Sequence, residues 1–163
     1  MSEVGDLESA LADGGQPELR TWLRLLTCST LIEQQVRRHL RRRFATTLPR
    51  FDMLAQLDRG RNLTMSELSH RLMVTNGNVT GLIDRLVKEG LVSRSPAPDD
   101  RRSQMVRLTN KGQCAFDAML PIHNGWIEDL IGGLEQAEMK QLLALLAKLK
   151  RSLINAKQTG DMR

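Results

Sequence analysis

Apolar positions return at helical spacing along most of this chain, and the interruptions divide it into elements. Leu25, Ile32, Val36, Leu40 and Phe44 recur every three or four residues or at multiples of that step. With Pro17 suited to a first turn, they predict a long helix from Pro17 to about Thr46. A second helix starts near Leu48-Pro49, carries Phe51, Leu54 and Leu57, and stops at Arg59-Gly60-Arg61. Thr64-Met65-Ser66-Glu67 then has the form of a capping box, in which the Thr hydroxyl accepts from the Glu amide while the Glu carboxylate reaches back. Leu63 and Leu68 flank it as a hydrophobic staple, and that helix should end near Met73. Thr75 is expected to cap the next helix, which runs to Lys88-Glu89 and stops at Gly90, a residue free to take the left-handed C-cap conformation. Leu91 to Ser95 and Gln104 to Leu108 read as two short strands, separated by a loop rich in Pro and Asp. Thr109 can cap a fifth helix running towards Ile131, with Pro121 expected to kink or break it. After Gly132-Gly133, a last helix from about Glu135 to Ala156 carries a broad apolar stripe of Leu142, Leu145, Leu146, Leu149 and Leu153.

The fold class that follows is mainly α with a small β-hairpin wing. A helix-turn-helix followed by a hairpin tipped with Asp99-Asp100-Arg101-Arg102-Ser103 is suited to hold DNA in two places. Charge agrees with this in its distribution more than in its total. The formal net charge is +5 over 163 residues, a length that suits one domain, while Arg37 to Arg43 alone holds five Arg. Two cysteines, Cys28 and Cys114, form no disulfide framework and fit a reducing cytoplasm, where they read as inert packing residues. The longest apolar run, Leu142 to Ala147, is far too short to span a bilayer, so no membrane partner is expected. His39, His70 and His123 are scattered, and no metal site, cofactor motif or convergent catalytic set can be assembled.

The second helix of the helix-turn-helix has two faces. Val79, Leu82, Ile83 and Leu86 share the side that should pack inward, whereas Gly77, Gly81, Asp84 and Lys88 lie opposite. An outward Gly costs helix stability of about 1 kcal/mol relative to Ala. Its functional return is a backbone that can approach DNA closely. Asn76, Asn78 and Thr80 are then candidates for base edges, and Arg85 for phosphate, an acid partner or guanine. Asp84 is spaced to pair with Lys88 one turn on. Thr64 and Ser66, at the preceding helix's N-terminus, are candidate phosphate donors, and Arg101 and Arg102 carry permanent charge suited to a narrow minor groove.

The segments Leu82 to Val92, Asp99 to Ser103 and Leu108-Thr109-Asn110-Lys111-Gly112, in that order, resemble the MarR family of winged-helix regulators. The resemblance covers nearly the whole chain. It implies a single domain in which residues 48–108 form the winged DNA-binding lobe and residues 17–46 and 110–157 form dimerisation helices. It implies a homodimer on a pseudo-palindromic double-stranded operator. Asp100-Arg101-Arg102-Ser103 matches the family's wing pattern, in which the Asp orients an Arg entering the minor groove; this makes Arg102 the favoured inserter, followed by Arg101.

The same resemblance implies a repressor released when a small effector, often an aromatic acid or phenol, binds between the dimerisation helices and the winged lobe. With Leu40 pointing inward, Arg37 and Arg43 lie about 60° to either side on a helix of 100° per residue, so an anionic effector or an acyl-coenzyme A thioester is the expected ligand. Phe51, Met53, His123 and Trp126 are the candidate lining. The competing readings are a solvated basic face, a winged-helix module that binds protein, and a non-specific nucleoid-type DNA binder.

Overall fold

The computed structural model describes residues 16–97 and 103–159. Helix α1 spans Pro17–Phe44, α2 Leu48–Leu57, α3 Met65–Leu72, α4 Asn76–Lys88, α5 Asn110–Ile131 and α6 Gln136–Thr159. Three short strands, β1 Leu63–Thr64, β2 Val92–Pro96 and β3 Gln104–Leu108, pair antiparallel in the order β1-β3-β2. The hairpin register sets Val92 opposite Leu108 and Arg94 opposite Val106, while Leu63 of β1 faces Val106 from the other side. The two-residue β1 is the element the hydrophobic pattern misses, since so short a segment has no period to detect. β2 also begins and ends one residue later than expected.

Local signals account for most element ends. The capping box on α3 is complete: the Glu67 amide donates to Thr64 Oγ1 at 3.2 Å, and the Thr64 amide donates to Glu67 Oε2 at 2.7 Å. At the end of α4, Gly90 adopts φ +71°, its amide donating to the Val87 carbonyl at 2.9 Å and the Leu91 amide to the Leu86 carbonyl at 2.9 Å. These two bonds satisfy carbonyls the helix leaves open and turn the chain into the wing. Thr75 occupies the N-cap of α4, but its side chain makes no capping bond, contrary to expectation. Pro121 does not break α5, which continues from Asn110 to Ile131. Pro121 is exposed, so the Asp117 carbonyl deprived of its donor lies on a side that water reaches.

The chain divides into two compact units, one ending at Ile127 and the other beginning at Glu128. The core of the first is built from Val36 and Leu40 of α1, Phe51, Met53, Leu54 and Leu57 of α2, Leu68 of α3, Val79, Ile83 and Leu86 of α4, Val106 of β3, and Phe116 and Met119 of α5. Leu40, Met53, Leu57, Leu68, Ile83 and Leu86 have no accessible surface. Burying such side chains contributes about 1.5–3 kcal/mol each, which holds the winged elements against α1 and α5. The second unit is the end of α5 and α6. On α6, Leu143, Leu145 and Leu153 are 58–63% exposed, and Leu142, Leu146, Leu149 and Ile154 are also exposed.

Candidate nucleic-acid interface and adjoining cavity

Helix α4 is fixed from three directions. Its inner face buries Val79, Ile83 and Leu86, with Leu82 half-buried beside them. Before it, the turn from α3 passes through Met73 in the left-handed region at φ 53°, and the Ser69 hydroxyl donates to the Val74 carbonyl at 2.6 Å. After it, the corner at Gly90-Leu91 is clamped to the start of α5. Thr109 Oγ1 donates to the Gly90 carbonyl at 2.6 Å and accepts from the Gly112 amide at 3.0 Å, and Lys111 Nζ donates to the Glu89 carbonyl at 2.8 Å. Gly112 is buried where these backbones touch, and a Cβ there would stand 1.9 Å from the Leu91 carbonyl oxygen.

The outer face of α4 is as bare as its sequence suggests. Gly77, Asn78 and Thr80 are exposed and Gly81 partly so, and a Cβ added at Gly77 or Gly81 would meet nothing within 4 Å. Thr64 and Ser66 stand at the head of α3, but the Thr64 side chain is already engaged with Glu67, which leaves Ser66 the exposed hydroxyl there. Asn76 opens α4, its side chain lying outside the described residues, as do Arg101 and Arg102 at the hairpin tip. Asp84 does not pair with Lys88. Its carboxylate accepts from Arg94 Nη2 at 2.7 Å, and Arg94 also reaches the Thr80 carbonyl at 3.5 Å, so strand β2 is tied sideways to α4. Proximity in the fold thus overrides the i,i+4 spacing on the helix.

The side of α4 next to its bare face closes a cavity of about 580 Å³. Glu33 and Arg37 of α1, Leu48 to Arg50, Asp52 and Met53 of α2, Leu72 and Val74 at the end of α3, and Asn78, Val79, Leu82 and Arg85 of α4 line it. Of the expected effector residues, Arg37 and Met53 are here. Arg43 is exposed and outside the lining, and Phe51 faces the core instead. Phe51 stacks on His123 at 4.3 Å between ring centroids, and Trp126 stacks on His39 at 4.9 Å, forming an aromatic seam between α1, α2 and α5 away from the cavity. Burial holds the His123 imidazole below its ordinary pKa, and its Nδ1 is buried without a hydrogen-bond partner.

The cavity's charges are unequally committed. Arg37 Nε donates to Glu33 Oε1 at 2.9 Å on its own helix, and Arg50 forms a two-pronged pair with Glu89 beyond the end of α4. That pair holds Glu89 below the ordinary carboxylate range. Arg85 spends only Nε, donating to the Gly81 carbonyl at 3.1 Å. Asp52 is half-buried with no hydrogen bond, and burial, partly offset by the Arg37 charge, pushes its carboxyl up to about 6. Sequence reading overlooked Asp52. The available signal was a lone acid in the mostly apolar helix Leu48–Leu57.

Among the described residues no three His, Cys, Asp or Glu side chains cluster to hold a metal, and no helix is long and apolar enough to cross a membrane. Both cysteines are free and exposed rather than packed in the core.

A capped α3, a turn, a helix with a bare outer face and an antiparallel hairpin define a winged helix-turn-helix protein. The MarR family model matches residues 46–104. An uncharacterised HTH-type transcriptional regulator of Bacillus cereus is 30% identical over 134 residues, covering 80% of this chain and 86% of that protein. The regulator YkoM of Bacillus subtilis is 38% identical over 84 residues, a match that spans about half of each chain, 52% of this one and 54% of YkoM. A crystal structure of a mutant E. coli MarR complexed with operator DNA superimposes with a TM-score of 0.72 at 27% identity, covering 81% of this chain and 95% of that one. The chain belongs to the MarR family. It is a transcriptional regulator and not an enzyme.

Proposed function

We propose that this protein is a homodimeric, cytoplasmic repressor that binds a pseudo-palindromic operator and releases it when a small molecule fills the cavity beneath α4. The observation that carries this reading is that one helix serves both surfaces. Asn78 and Arg85 belong to the candidate DNA face and also line the cavity. A ligand seated there therefore competes for the side chains, and for the helix position, that DNA would use. Release is then a population shift: the ligand binds the DNA-incompetent arrangement more tightly and lowers operator affinity by the same factor.

In this reading α4 enters the major groove, with Gly77 and Gly81 allowing close approach and Asn76, Asn78 and Thr80 facing base edges. Ser66 and Thr64 contact phosphate, and the wing delivers Arg102, seconded by Arg101, to the minor groove. Operator DNA in the E. coli MarR complex supports the assignment by likeness. Residues 48–108 act as the DNA-binding lobe, and residues 17–46 and 110–157 as dimerisation helices. A second copy would cover the exposed leucines of α6 and, on α1, Leu19, Trp22 and Leu31.

The test is binding to the chain's own promoter region against random DNA at several salt concentrations. Specific binding with a steep salt dependence is expected, the slope of log K against log salt falling by about 1 in Arg102→Ala. Equal affinity for random DNA would favour a nucleoid-type binder, and no shift at all a protein-interaction module.

A further inference from the structure

The cavity's uncommitted charges are of both signs. Among its described lining residues Arg37 is held by Glu33 and Arg50 by Glu89, which leaves the Nη atoms of Arg85 and the carboxylate of Asp52 without partners. The same cavity is lined by the apolar side chains of Leu48, Pro49, Met53, Leu72, Val74 and Leu82. A cavity of about 580 Å³ holds a ligand of metabolite size.

A purely anionic ligand fits this inventory poorly. Its charge finds Arg85, but its body covers Asp52, removing the water that still solvates that half-buried carboxylate. Stripping an ionised carboxylate without supplying a donor is costly. A multiply charged coenzyme A thioester fits less well still, since one uncommitted guanidinium faces the cavity among the described residues. Resting on the reading that the cavity binds an effector, we infer that its ligand is amphoteric: an apolar body with an anionic group towards Arg85 and a hydrogen-bond donor, best an ammonium, on Asp52. The donor replaces the lost water with a charge-assisted bond.

The charged groups around Asp52 are Glu33 and Arg37 from α1, Arg50 on its own helix and Arg85 from α4. Burial raises the Asp52 carboxyl, the Arg37 charge pulls it back in part and Glu33 adds to the rise, so the carboxyl stands at about 6 in the empty cavity. Opposite pH behaviour follows for the two ligand classes. An ammonium needs ionised Asp52, so its affinity falls as pH drops through about 6. An anion without a donor prefers protonated Asp52, so its affinity rises over the same interval.

The experiment is isothermal titration of the full-length protein with benzoate, benzylamine and para-aminomethylbenzoate, above and below pH 6. Para-aminomethylbenzoate is expected to bind about tenfold tighter than benzoate above pH 6. Asp52→Asn, nearly isosteric, should erase that preference and the pH dependence, and thermal melting verifies that the variant folds. Arg85→Gln should weaken benzoate and para-aminomethylbenzoate but spare benzylamine. Benzoate binding as tightly as para-aminomethylbenzoate, an unchanged preference in Asp52→Asn, or no binding by any probe overturns the inference. Operator binding is measured separately on the unsubstituted protein. Its loss would refute the repressor reading while leaving the ligand class standing, and its retention with failed titrations would refute the ligand class alone.

Discussion

Alanine at Gly81 and at Gly112 should have opposite effects, although both residues lie in helices. At Gly81, in the second turn of α4, an added methyl meets no atom within 4 Å. The substitution therefore recovers helix propensity at no steric cost, about 1 kcal/mol. For a chain of this size that corresponds to a rise in Tm of about 2–4 °C. At Gly112, in the first turn of α5, the same methyl would lie 1.9 Å from the Leu91 carbonyl oxygen and 2.9 Å from its carbon, where ordinary contact begins at 3.4 Å. Both sides of that clash are backbone and no side chain can swing away. Thr109 moreover pins the corner through the Gly90 and Leu91 carbonyls. Overpacking of this kind costs about 1–3 kcal/mol, and a clash this short belongs at or beyond the upper end. Even after the propensity gain, Gly112→Ala should lose about 2 kcal/mol or more and lower Tm by at least about 4 °C. Thermal and urea melts of the two variants read these signs directly. Operator affinity supplies the second readout. If the bare face of α4 lies close to DNA, Gly81→Ala should be the more stable protein and yet the weaker binder, by about tenfold. A stabilised Gly81→Ala with undiminished operator affinity would refute the close-approach argument. A neutral Gly112→Ala would refute the account of the α4–β2 corner.

Asp52 makes stability depend on pH in the unusual direction for an acid. Its folded pKa is raised from 3.8 to about 6, so ionisation costs stability above about 6, and that cost fades as pH falls towards 3.8. Asp52→Asn should be more stable at neutral pH, by on the order of 1 kcal/mol after allowing for the group's remaining solvation. Melts above and below pH 6 should converge for the two proteins at the lower pH. Glu67 runs the other way: the Thr64 amide and hydroxyl hold it below its ordinary 4.5, so its contribution is present above that value and lost as pH falls below it. Thr64→Ala should cost about 1 kcal/mol of stability in urea titrations, and more than Ser66→Ala, since the Ser66 hydroxyl makes no capping bond. Glu89→Gln leaves the Arg50 guanidinium, whose Nε is already buried without a partner, with weaker acceptors. A double-mutant cycle with Arg50→Met should show coupling of up to about 1 kcal/mol that weakens in salt, because the Glu89 carboxylate is exposed.

Where the sequence was legible, the interactions close within a few residues. The Thr64–Glu67 box, the Thr109 cap on Gly112 and the turn at Gly90 each join groups separated by three to five positions, so composition at fixed spacing identifies them. The inward stripe of α4 was legible for the same reason: the helical repeat alone puts Val79, Ile83 and Leu86 on one side. Local spacing misled where a distant partner competed. Asp84 is one turn from Lys88, but the wing brings Arg94 alongside, and a partly sheltered Arg offers a stronger bond than an exposed Lys.

By itself, the sequence determined the order of the six helices and of the two hairpin strands, the winged helix-turn-helix class and the bare outer face of α4, because these follow from periodicity, caps and the absence of side chains. Tertiary structure alone decided which residues share a cavity. Phe51 and Asp52 are adjacent in the chain, yet the 100° turn between them sends one to the core against His123 and leaves the other on the cavity wall. Arg37 and Arg43 look equivalent beside Leu40, yet only Arg37 faces α2 and α4 across the cavity. The balance of charge there depends on groups from α1, α2 and α4 meeting at a distance in sequence, and no local pattern encodes that meeting.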